Sequence, residues 1–269
     1  MNPTATARHS ALLNKDLRRK ILEMIYKAGE GHVPSAFSII DIIAYLYGHV
    51  LKFDGCNPRS PDRDYFILSK GHGSGALYVV LARHHFLAQS DLDKKSKKNG
   101  ILGGHPDCTR VPGVEASTGS LGHGIATAVG IALGLRIKGL NNKVIVLVGD
   151  GECNEGTVWE CALVAANLQL GNLCVIVDNN GSAAQILPVA NAQQKFESFG
   201  WQGHTIDGHS ERELEEVFQK ISFQHHTPPK VIVANTIKGK GVSFMEGHGT
   251  WHAKVPNAEE FAAALRELT

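Results

Sequence analysis

The stretch that most limits what this chain can fold into is residues 143–180, KVIVLVGDGECNEGTVWECALVAANLQLGNLCVIVDNN. A continuous apolar run, Val144 to Val148, stops at Gly149-Asp150-Gly151. A helix-like segment from about Glu155 to Leu170 follows, and a second apolar run, Leu173 to Val177, stops at Asp178-Asn179-Asn180. Strand, helix and strand of these lengths read as one right-handed crossover of a parallel sheet, with polar residues at the carboxyl ends of both strands. Open α/β sheets bind ligands at that edge. Asp150 supplies a charged oxygen and Asn180 an amide oxygen, hard donors suited to Mg²⁺ or Ca²⁺. The glycines let the backbone approach a phosphate closely.

The spacing excludes the commoner phosphate sites. A dinucleotide fingerprint needs G-x-G-x-x-G, and Asn154 stands where the third glycine belongs. No G-x-x-x-x-G-K-[ST] occurs anywhere in the chain. What remains, Gly149-Asp150-Gly151 followed by Asn179-Asn180, resembles the thiamine-diphosphate signature.

The rest of the chain extends the same architecture. Leu13, Leu17, Ile21, Met24 and Ile25 recur at helical spacing, which predicts an amphipathic helix over 11–27. Residues 36–51 are apolar almost all round and predict a buried helix. A strand is expected at 65–68, ending in Ser69-Lys70-Gly71-His72-Gly73, with a helix beyond it to about Phe86. Residues 99–118 lack periodicity, and a loop of that length in a compact domain is usually functional. A helix rich in Ala and Gly then opens at Gly119-Ser120-Leu121-Gly122-His123-Gly124. After the central crossover the pattern gives helices near 190–199, 211–221 and from 258, with strands near 201–206 and 231–234. Alternating strands and helices argue for one α/β domain over 1–269, a three-layer parallel sheet with helices on both faces.

Composition narrows the function. A net charge of +1 gives no field to attract nucleic acid or an anionic membrane. The basic run Lys94-Lys95-Ser96-Lys97-Lys98 reads as a solvated loop. Five cysteines form no C-x-x-C pair, which favours reduced thiols and a cytoplasmic setting. The N-terminus lacks the apolar segment of a secretory signal, and no run approaches a membrane span. Among 14 histidines, His32, His72, His105, His123 and His252 sit beside glycines or in loops, where imidazole can exchange protons near neutral pH.

At this level of detail the chain resembles the N-terminal, diphosphate-binding domain of transketolases. The motifs run through most of its length: GH at 31–32, LSKGHG at 68–73, GGHP at 103–106, STGSLGHGI at 117–125, GDGECNEG at 149–156, DNNG at 178–181, DGH at 207–209 and IKGKGVSFME…WHAK over 237–254. The alpha subunits of 2-oxo-acid dehydrogenases share the G-D-G…N-N element but not LSKGHG or GGHP.

The resemblance implies roles residue by residue. Asp150, Asn180 and the carbonyl of Ser182 would hold Mg²⁺ or Ca²⁺, and Gly151, His72 and His252 would contact the diphosphate. Gly119 and Leu121 would line the thiazolium and pyrimidine. His32, His105 and His252 would bind the donor ketose and move the proton of its C3 hydroxyl. Glu155 and Glu160 would reach across a subunit interface. The resemblance further implies a thiamine-diphosphate-binding fold and a two-carbon ketol transfer from a ketose to an aldose.

The resemblance also implies a missing half. A second domain, which binds the aminopyrimidine and supplies the activating glutamate, has no counterpart in this sequence. The expectation is therefore one subunit of a split transketolase. It would work in an α₂β₂ assembly with a C-terminal partner subunit, on sugar (phosphate) substrates. The alternatives are a non-catalytic scaffold and a 2-oxo-acid decarboxylating alpha subunit. One departure is expected to reshape the donor pocket: Gly31-His32-Val33-Pro34-Ser35-Ala36 stands where the family has G-H-x-G-G-S.

Overall fold

The structure, a computed structural model, describes residues 3–184, 186–247 and 251–269, with backbone only for residues 3–13. The continuous apolar runs become a five-stranded sheet: β1 (Tyr65–Leu68), β2 (Val144–Gly149), β3 (Leu173–Asn179), β4 (Gln202–Asp207) and β5 (Lys230–Asn235). Its order is β1-β2-β3-β5-β4, and every neighbouring pair is parallel. Strands covered on both faces need no polar alternation, which is why β2 is buried at every residue and reads VIVLVG.

The pleat divides the core in two. Ile145, Leu147, Cys174, Ile176 and Ile232 point to one face, Val144, Val146, Val148, Val175 and Val231 to the other. The first face is covered by α1 (Pro3–Ala28), α2 (Val33–Phe37), α3 (Ile40–Tyr45), α4 (Ser74–Arg83), the short α5 (Gln89–Leu92), and later α9 (Glu211–Lys220) and α10 (Ala258–Glu267). The second is covered by α6 (His123–Ile137), α7 (Gly156–Asn167) and α8 (Ala192–Ser198). The three-layer α/β arrangement expected from the sequence is the one observed.

Within α1, Leu17, Ile21, Met24 and Ile25 are buried as their spacing predicts, while Leu13 lies outside the residues whose side chains are described. The helix expected over 36–51 is instead divided into α2, α3 and a π-helical turn, Leu46–Val50. Apolarity on every side marks burial, not helical continuity. Pro34 sits in the first turn of α2, where its missing N–H costs nothing, and its carbonyl accepts from the N–H groups of Ser38 and Gly239. The proline thus starts a helix and anchors the loop after β5. All five cysteines are free, and no helix among the described residues is long and apolar enough to cross a membrane.

Candidate active site

Parallel register brings the polar strand ends together. Gly149 pairs with Asp178 across β2 and β3, and Asn179 with Asn235 across β3 and β5. Beyond this edge lies a cleft of about 650 Å³, within the range of small-molecule sites. Its walls contain His32, His72, Gly119, Leu121, Asp150, Gly151, Asn180, Ser182 and His252, nearly all the residues singled out in the sequence, together with Lys70 and Lys238. His105 is exposed at the rim, its ring against Gly119. Gly119 has φ +158°, and a Cβ there would meet the His105 ring at 3.1 Å, so a side chain at 119 is opposed by both backbone and space. Glu155 and Glu160 are exposed outside the cleft, before and within α7.

The floor of the cleft is a buried ion pair that the sequence motifs do not reveal. Lys70 and Asp178 are 1% and 0% exposed, with Nζ 2.5 Å from Oδ2. The same Oδ2 accepts from the Ser38 hydroxyl at 2.9 Å and from Asn180 Nδ2 at 2.8 Å, and Oδ1 accepts from the Thr236 hydroxyl. The Lys70 ammonium beside it holds the Asp178 carboxyl below its usual range against the opposing effect of burial. Because Asn180 donates its amide nitrogen to Asp178, its Oδ1 is fixed on the opposite side, where it accepts from Ser182 N at 3.0 Å. Asp150 accepts from Gly151 N at 2.7 Å and Ala183 N at 3.2 Å. A carboxylate and an amide oxygen each keep further acceptor capacity after such bonds.

Glu152 ties the cleft's loops to one another. It is 1% exposed and accepts from the N–H groups of Gly149 at 3.0 Å and Gly122 at 2.8 Å, and from the Ser69 hydroxyl. Burial raises its carboxyl pKa, and these three donors work against the rise. The signal available in sequence was a charge close to the end of an apolar run: Asp178 directly follows Leu173–Val177, and Lys70 stands two residues after Leu68.

Three imidazoles of the cleft form a triangle. Ring centroids of His32, His72 and His252 are separated by 5.4, 5.4 and 5.6 Å. Burial pushes His32 down to about 4, and it lowers His72 further still, so both rings are neutral at pH 7. Nδ1 of His32 is buried without a partner among the described residues. Lys238 reaches the Ser182 hydroxyl at 2.9 Å and His252 Nδ1 at 2.6 Å, and burial, reinforced by the Lys70 charge, pushes its pKa down to about 8. Accepting at Nδ1 leaves the His252 proton on Nε2.

The cleft fits a metal-bound diphosphate on its own chemistry. Asp150, Asn180 and Ser182 line the same cleft and offer only oxygen donors, the kind of set a hard cation would take. Lys238 supplies positive charge, the buried His32 nitrogen is left for a ligand, and the space beside Gly151 is open, since a Cβ there would meet nothing within 4 Å. Among the described residues no three His, Cys, Asp or Glu side chains converge as a metal cluster; the proposed set contains a single carboxylate.

A parallel α/β sheet with such a cleft at its carboxyl edge is the architecture of a cofactor-binding α/β domain. The chain belongs to the transketolase family: the thiamine diphosphate binding domain of transketolase matches residues 10–268. It is 39% identical over 260 residues to one of the subunits of apulose-4-phosphate transketolase from Actinobacillus succinogenes, covering 94% of each chain. It is 38% identical over 257 residues to the 6-deoxy-6-sulfo-D-fructose transketolase subunit SqwG of a Clostridium species, covering 94% of this chain and 93% of the relative. Among solved structures it superposes on the transketolase of Campylobacter jejuni with a TM-score of 0.89 at 28% identity, covering 97% of this chain and 43% of that one. The chain therefore spans less than half the length of that solved relative, but nearly the whole of the relatives named as subunits.

Proposed function

We propose that this chain is the diphosphate-binding subunit of a two-polypeptide transketolase, moving a two-carbon ketol unit from a ketose to an aldose. The observation that carries the reading is the convergence of Asp150, Asn180, Ser182, Lys238 and the rings of His32, His72 and His252 on one cleft at the carboxyl edge of the sheet. Similarity over nearly their whole length to proteins named as transketolase subunits supports the two-polypeptide form. Bound thiamine diphosphate supplies the nucleophilic carbon and the electron sink that cleavage of a carbon–carbon bond requires.

The residues of this chain have the remaining tasks. Asp150, Asn180 and the Ser182 carbonyl would hold Mg²⁺ or Ca²⁺ beside the diphosphate, with His72, His252, Lys238 and the Gly151 N–H on the phosphate oxygens. Gly119 and Leu121 would bound the cofactor's rings. His32 is neutral, so it can accept a proton from the donor's hydroxyl, with His105 and His252 orienting the sugar. Glu155 and Glu160, both exposed, would face a partner polypeptide that contributes the pyrimidine-binding domain, in an α₂β₂ assembly. The relatives' names span a sugar phosphate and a sulfo-sugar, so the donor here is assigned only as a ketose bearing an anionic group.

The test is ketol transfer from a ketose phosphate to an aldose phosphate by the chain mixed with its partner polypeptide, thiamine diphosphate and Mg²⁺. Activity should require both polypeptides, and His105→Ala should slow turnover about 10²-fold while cofactor affinity holds. Activity from the partner alone, or unchanged kinetics in His105→Ala, overturns the assignment.

A further inference from the structure

The basic run at 94–98, expected to be a solvated loop, contains one lysine that is not solvated. Lys95 is 1% exposed, whereas Lys94, Lys97 and Lys98 are exposed. A buried ammonium needs fixed partners, and Lys95 has three. Its Nζ donates to the Glu30 carbonyl at 3.2 Å and to the Ser96 hydroxyl at 3.1 Å, and lies 3.5 Å from the Glu30 carboxylate. Lys97 reaches back to the Lys27 carbonyl at 3.0 Å, and Lys27 pairs with Asp93 at 2.8 Å. The 93–97 segment therefore caps the last carbonyls of α1 and holds the turn leading into Gly31-His32.

The same segment holds the second histidine loop. Ser96 has φ +57°, a left-handed conformation that a serine keeps only when its surroundings fix it. Its N–H donates to the Leu102 carbonyl at 2.8 Å, directly before Gly103-Gly104-His105. Its hydroxyl donates to the Glu30 carboxylate, and a Cβ on Gly104 would stand 3.6 Å from that carboxylate. From the other side, α4 fastens the loop: Ser74 Oγ donates to the Gly104 carbonyl and Tyr78 to the His105 carbonyl, each at 2.8 Å. Glu30 thus stands between the loop of His32 and the loop of His105, with its carboxylate held by Lys95 and Ser96.

We propose that Lys95 and Glu30 form a clamp that sets the position of His32 relative to His105 and makes Lys95 a positioning residue for the sugar-binding side of the cleft. The proposal rests on the reading of these histidines as substrate residues, but the clamp itself is a statement about geometry. A displacement of about 1 Å between substrate-orienting groups costs on the order of 10²-fold in rate.

The deciding experiment is proton NMR of the histidine Hε1 signals in the full chain, assigned by single histidine substitutions, for wild type, Lys95→Met, Lys95→Arg and Glu30→Gln. Lys95→Met and Glu30→Gln should shift the His32 and His105 signals and leave that of His209 in place, and Lys95→Arg should restore the wild-type positions. In the two-subunit enzyme Lys95→Met should lower turnover about 10²-fold with thiamine-diphosphate affinity unchanged. Unmoved His32 and His105 signals in both charge-removing variants would overturn the clamp. So would a shift of every histidine signal together, which marks general loosening. If the signals move as expected while His105→Ala keeps normal turnover, the clamp stands and the substrate role of His105 fails.

Discussion

Replacing Asp178 by asparagine leaves the shape of the side chain and removes the charge opposite Lys70. Asp178 is fully buried and receives four donors, from Lys70, Ser38, Asn180 and Thr236. Asparagine has one acceptor oxygen, so it can face the three donors at Oδ2 or Thr236, not both groups with full acceptor capacity. The larger loss is electrostatic, since Lys70 stays 1% exposed and Asp178 is its counter-charge among the described residues. Breaking a buried pair from one side costs about 3–5 kcal/mol, a large share of a typical stability of about 5–15 kcal/mol. With a urea m-value of about 3 kcal/mol/M, the midpoint should fall by about 1 M or more. Lys70→Met should cost a similar amount, and the double variant much less than the sum, giving a coupling of about 2 kcal/mol or more. Urea unfolding followed by circular dichroism measures all four proteins. A loss under about 1 kcal/mol in Asp178→Asn, or strict additivity in the double variant, would refute the buried pair as the floor of the cleft.

Two further predictions concern pH. Lys238 titrates near 8 in the free cleft, and an anion prefers its protonated form. The affinity for inorganic diphosphate with Mg²⁺, measured by calorimetry, should therefore decline as pH rises through 8, and Lys238→Met should lose that dependence; a flat profile in the wild type contradicts it. His32 is held down to about 4, below its unfolded value of about 6.5, so the unfolded chain binds the extra proton first and stability falls as pH drops through that window. Discounted for its partial exposure, the loss is about 1–2 kcal/mol, and His32→Gln should flatten that part of the acid profile; equal acid sensitivity in both proteins counts against the burial argument.

The residues that could be read from the sequence are those whose chemistry or spacing is local. The apolar runs of β2 and β3 end where the polar clusters begin, so the order of residues alone places Asp150 and Asn180 at one sheet edge. The loop histidines next to glycines are visible for the same reason, and His32, His72 and His252 do meet. What stays hidden depends on partners far apart in the chain. Lys70 and Asp178 are 108 residues apart, and Ser69 and Glu152 are 83 apart. Nothing in a run of four lysines marks Lys95 as the buried one, because that follows from where Glu30 and Leu102 come to lie. The division of the 36–51 segment is likewise hidden, since burial on all sides removes the periodicity that would report a break.

On the proposed reading this chain builds a metal-dependent diphosphate site within a two-subunit enzyme. Calorimetric titration of thiamine diphosphate into the chain combined with its partner polypeptide tests it most directly, with Mg²⁺, with Mg²⁺ removed by chelator, and in Asp150→Ala. Binding should be saturable with Mg²⁺, lost on chelation and lost again in Asp150→Ala. Equal affinity in Asp150→Ala, or without any divalent ion, would contradict it.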